Sequence, residues 1–129
     1  VSTLVAVLVA AVLAVAGCAA TAPTPAPAPP PPTLGERIER LPGQIIGVNA
    51  QWQQLLVTKA VTPAEYKPWE GWARRTQIAL PALVRQWRLV RNGVDPPGEV
   101  YVDSEVGRLE RELGRYRRQA LEYEQRGGR

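Results

Sequence analysis

From Leu34 onward, apolar residues recur in alternating steps of four and three, in three separate runs. That spacing gathers each run onto one side of a helix, and a short chain with three such stripes can bury them by packing the helices together. The first seam runs through Leu34, Ile38, Leu41, Ile45, Val48, Trp52 and Leu55. The second runs through Trp69, Ala73, Thr76, Leu80, Leu83, Trp87 and Val90, and the third through Val106, Leu109, Leu113, Tyr116, Ala120 and Tyr123. Helix starts are marked as well. Thr33-Leu34-Gly35-Glu36 has capping-box spacing, and Thr62-Pro63-Ala64-Glu65 combines an N-cap with proline at N1 and glutamate at N3. Asn92-Gly93 is a stop signal. The pattern predicts an all-α fold, a small three-helix bundle with helices at about 34–61, 63–92 and 104–125.

Prolines qualify the first two helices. Pro42-Gly43 predicts either one kinked helix from about 34 to 61, or a short turn with the main helix beginning near 44. Pro68 and Pro81 predict bends in the second helix, and the minimal connection at 61–62 predicts an antiparallel hairpin. A loop from Val94 to Asp103 follows, with Val100-Tyr101-Val102 extended and Asp103 or Ser104 capping the third helix. Gly107 and Gly114, seven apart, allow a neighbouring helix to come close. The third seam suits a closed bundle, and it would serve equally a homo-oligomer formed through helix 104–125 with a second copy.

Composition changes abruptly at Pro32/Thr33. No charged residue precedes Glu36, and residues 19–32 contain seven prolines with only alanine and threonine besides. Proline at this density fixes φ and removes amide donors, which predicts an extended, solvated spacer. At ~3.1 Å per residue, its fourteen residues reach at most about 43 Å. The 97 residues from Thr33 to Arg129 form one small helical domain, near the size at which a single core holds by itself.

Cys18 is the only cysteine, so no disulfide framework is available within the chain. It closes Val15-Ala16-Gly17-Cys18 after a run in which Ser2 and Thr3 are the only polar side chains. Those residues resemble the lipobox of a bacterial prolipoprotein. The resemblance implies that residues 1–17 are a cleaved signal peptide, that Cys18 is lipidated, and that residues 18–32 are the anchor and tether. It implies a cell-envelope address on a membrane, with Ala19 after the cysteine resembling proteins sorted to the outer membrane of diderm bacteria. The chain contains no Met and no basic n-region, so the natural start is expected upstream or at a GTG codon written as Val1. The apolar run Leu4 to Ala20 is also close to the ~18–20 residues of an uncleaved anchor. A spanning helix would be followed by a basic flank, whereas here a proline tract follows.

Little in the helical domain suggests chemistry. There is no histidine, which removes the usual general base and the commonest metal ligand. No phosphate-binding glycine loop occurs, Ser104 reads as an N-cap, and no cofactor or metal is expected. Asp95, Glu99, Asp103 and Glu105 form the only acidic concentration. Two of them facing across a cleft could act as a glycosidase pair, but solvated caps are the simpler expectation.

Residues 62–93 carry six basic and two acidic side chains, net +4, equal to the charge of the whole chain. Arg74, Arg75, Arg85, Arg88 and Arg91 lie off the seam, so this helix offers a basic flank to anionic lipid, wall polymer or lipopolysaccharide phosphate. Nucleic acid fits the charge but not an envelope address, and none is expected. Trp72, one step off the second seam and near Arg75, is the aromatic expected at the surface and available to a partner. The expectation is a non-enzymatic, lipid-anchored envelope protein whose helices contact another protein or the wall. A small Pro-rich lipoprotein also resembles the outer-membrane subunit of a phage spanin pair, a resemblance that covers only the lipobox and residues 19–32. A wall hydrolase using the loop acids is the enzymatic alternative.

Overall fold

The computed structural model describes residues 24–94 and 97–127. Residues 24–31 of the proline tract are exposed and in neither helix nor strand. The unit from Pro32 onward is a three-helix bundle of α1 (Leu34–Val57), α2 (Pro63–Arg91) and α3 (Gly98–Gly127), with each helix packed on the other two. Among the described residues, every core residue belongs to this unit.

Both anticipated capping boxes are closed. The Thr33 hydroxyl accepts from the Glu36 amide at 3.2 Å and Glu36 accepts from the Thr33 amide; Thr62 and Glu65 repeat the exchange at 3.1 Å. α1 ends four residues earlier than the seam suggested. Lys59 takes a positive φ of 60°, and the Ala60 and Val61 amides fold back on the Leu55 carbonyl. That turn drops Val61 into the core and leaves Thr62 to start α2.

The prolines do not divide the helices. Pro42 lies inside α1, and Pro68 and Pro81 lie inside α2, all three on exposed positions. Each deletes one hydrogen bond, a penalty of about 3 kcal/mol. Burying six seam residues of α1, at about 1.5–3 kcal/mol apiece, outweighs it. The two-piece alternative for the first helix is therefore corrected to one uninterrupted element.

The third helix also needs correction, since it begins at Gly98 and not near 104. Val100 and Tyr101, expected in an extended stretch, form its first turn, while Asp103 and Ser104 sit inside the helix and cap nothing. Val102 is the reason. It lies four residues before Val106, is 0% exposed, and extends the seam of α3 by one step. Tertiary burial decides the conformation here over the β-preference of Val-Tyr-Val.

The core is aromatic at the end where α1 meets the start of α2. Trp52 and Trp69 stack at 6.4 Å and 6°, while Tyr66, Tyr116 and Tyr123 approach Trp52 edge-on. Every indole there has a polar partner: Trp52 Nε1 donates to the Tyr116 carbonyl (3.2 Å), and Trp69 Nε1 donates to Asn49 Oδ1 (3.1 Å). The seam of α3, from Val106 through Ala120, is covered by the protein's own α1 and α2.

Candidate interaction surface

Cys18, the expected lipidation site, lies outside the described residues. Within the bundle, the anticipated surface residues separate into two groups. Trp72 is not at the surface: it is 5% exposed, packs between Trp69 and Tyr116, and donates from Nε1 to Glu112 Oε2 at 2.7 Å. The stripe buried by a helix in a bundle is wider than a strict two-position seam. Trp72, three residues from Trp69 and four from Thr76, falls within it. Its availability to a partner is thereby corrected.

The arginines are at the surface. Arg74, Arg75, Arg85 and Arg88 are all exposed along α2. Arg74 pairs with Glu70 one turn back at 2.9 Å, and the other acid of α2, Glu65, pairs across to Arg126 at 3.0 Å. Lys67, Arg75, Arg85, Arg88 and Arg91 make no ion pair with any described residue. Arg85 and Arg88 edge an open groove of about 500 Å³ between α1 and α2, floored by Pro42, Leu80, Pro81 and Val84. A basic rim over an apolar floor suits an anionic group attached to something apolar.

The acids expected in the interhelical loop are largely on a helix. Asp95 lies outside the described residues, and Glu99, Asp103 and Glu105 are on α3. Asp103 accepts from Arg37 of α1 at 2.7 Å, and Glu105 accepts from Arg108 on its own helix at 2.7 Å. Two residues apart on a helix, they project about 160° from one another, a poor start for a facing carboxylate pair. Among the described residues there is no group of three or more metal-ligating side chains.

Two ion-pair clusters went unread in the sequence. Arg37 bridges α1 to α3, donating through Nε to Glu110 (3.1 Å) and through Nη1 to Asp103. The Glu110 and Asp103 hydrogen bonds push the guanidinium pKa up, so it is always charged. Burial alone would raise the Glu112 carboxyl, but the Trp72 indole N–H and Arg108 bring it below its ordinary value. The available signal was position: Arg37 and Glu110 each sit beside a seam residue, where interhelical pairs form.

The third cluster gives a pH prediction. The Thr62 backbone N–H first, then Arg126 and the Tyr123 hydroxyl, hold the Glu65 carboxyl down to about 2 from an ordinary 4.5. A depressed carboxylate stabilises the fold above its unfolded pKa, and that contribution is lost as pH falls through the folded value. Wild type should therefore lose more stability than Glu65→Gln between pH 4.5 and about 2. Urea melts at stepped pH check this; parallel pH profiles would remove Glu65 from the account.

Among the described residues no helix is long and apolar enough to cross a membrane. Comparison with protein-family models, curated proteins and solved structures finds no match.

Proposed function

We propose that this protein is a lipid-anchored component of a bacterial cell envelope whose helical bundle is a non-enzymatic binding module. The observation that carries the reading is the order of parts along the chain. Val15-Ala16-Gly17-Cys18 resembles a lipobox, fourteen residues of proline-rich spacer follow, and then a bundle with its own core. Lipid on Cys18 anchors by burying methylenes at about 0.8 kcal/mol each, so two or more acyl chains hold durably where one holds marginally. The bundle's exposed chemistry supports contact more than turnover. Its carboxylates at Asp103, Glu105, Glu110 and Glu112 are engaged by arginine or indole donors, and the charges of α2 that pair with no described residue are cations.

The reading is tested by metabolic labelling. In cells supplied with radiolabelled palmitate, the wild-type protein should take up label, and Cys18→Ser should abolish uptake and accumulate as the longer precursor. Equal labelling of the two would remove the anchor from the account.

A further inference from the structure

The outward side of α2 carries a second periodic stripe, opposite its buried seam. Lys67, Arg74, Ile78, Arg85 and Leu89 follow one another in steps of seven and four, the spacing that aligns side chains along one helix face. All five are exposed, with Ile78 at 75% and Leu89 at 44%. Three basic and two apolar residues share it, and none of the five is an acid. Of the two acids of α2, Glu65 is held away by Arg126, and Glu70 flanks the stripe one turn from Arg74, the one stripe cation with an ion-pair partner among the described residues. The groove floored by Pro42, Leu80, Pro81 and Val84 runs beside the stripe.

We propose that this stripe is a membrane-docking face, which lays α2 along an anionic bilayer with Lys67, Arg74 and Arg85 among the head groups and Ile78 and Leu89 at the acyl boundary. Cationic side chains near an anionic leaflet contribute about 1 kcal/mol each, and apolar residues between them add burial that a soluble polyanion cannot supply. A second copy fits poorly, because two such stripes face each other with like charge. The proposal rests on the reading of the protein as membrane-tethered. Its test omits the anchor, so the two can fail separately.

The segment from Ala19 onward contains every core residue among the described residues and no cysteine, so Ile78→Cys supplies a single labelling position. Sedimentation with phosphatidylglycerol–phosphatidylcholine vesicles should show binding that weakens with added salt, and pure phosphatidylcholine vesicles should bind little. The triple variant Lys67→Gln, Arg74→Gln, Arg85→Gln should lower partitioning about a hundredfold, from three residues at about 1 kcal/mol each. A matched loss of charge on the exposed side of α3, Arg111→Gln, Arg117→Gln, Arg118→Gln, should lower it much less. A nitrobenzoxadiazole dye on Ile78→Cys should brighten and shift blue on binding, and the same dye on Val100→Cys should not. Equal losses from the two triples, binding without a dye response at position 78, or no preference for anionic vesicles would each overturn the proposal. Binding to soluble polyphosphate in place of vesicles would overturn it too.

Discussion

Trp52→Ala should be among the most damaging single substitutions in the bundle, lowering stability by about 3–5 kcal/mol. Trp52 is fully buried and lies where all three helices meet. It stacks on Trp69 of α2, receives the edges of Tyr66, Tyr116 and Tyr123, and donates its indole proton to a carbonyl of α3. Truncation leaves a cavity among rigid rings that collapse poorly into it. For a domain this small, whose whole stability is of the order of 5–15 kcal/mol, that loss is a large fraction. Thermal melts followed by far-UV circular dichroism should show the midpoint falling by on the order of 20 °C. Trp52→Phe, which keeps a ring and loses the hydrogen bond, should fall between. A midpoint unchanged in Trp52→Ala would mean that the aromatic cluster does not hold the helices together.

Val102→Asp should be comparably severe, and Val100→Asp should be nearly silent. Val102 is 0% exposed and Val100 is 77% exposed, although only one residue separates them. In a helix, residues two apart diverge by about 160°; in an extended strand they share a face. An unpaired carboxylate at the buried position costs on the order of 4 kcal/mol or more, whereas an exposed substitution stays within about 0.5 kcal/mol. Urea denaturation of both variants at neutral pH measures the difference. Similar effects at the two positions would return residues 98–103 to the extended loop that their β-branched and aromatic composition suggests.

That contrast marks how far the sequence was legible. Periodicity located the core: all of Ile38, Leu41, Ile45, Val48, Trp52 and Leu55 are buried, as are Val106, Leu109, Leu113, Tyr116 and Ala120. Both capping boxes were legible because their chemistry is local, a hydroxyl and a carboxylate three residues apart. What escaped depends on packing between elements. The first turn of α3 is fixed by Val102 entering a core made by other helices, and local preference points the other way. Trp72 escaped because a two-position seam is narrower than the stripe a bundle buries. The prolines were partly legible: Pro68 and Pro81 lie inside a continuous second helix as expected, whereas at Pro42 the choice between one helix and two depends on burial of the α1 seam.

The candidate surface was partly legible. Counting charge over residues 62–93 found the basic helix, and the exposed positions of Arg74, Arg75, Arg85 and Arg88 agree with it. The outward stripe through Ile78 and Leu89 needs the fold, because only there are both seen to be exposed and Glu65 seen to be held by Arg126 of α3. The loop acids illustrate the converse. They are neighbours in sequence, but helical geometry sends Asp103 toward α1 and Glu105 to Arg108.

The central claim, that lipid on Cys18 ties this bundle to a membrane, is tested most directly by mass spectrometry of the N-terminal peptide of protein extracted from membranes. The account predicts a mature chain that begins at Cys18 and carries a diacylglyceryl thioether on its sulfur. A chain that retains residues before Cys18, or that begins there with a free thiol, would contradict it.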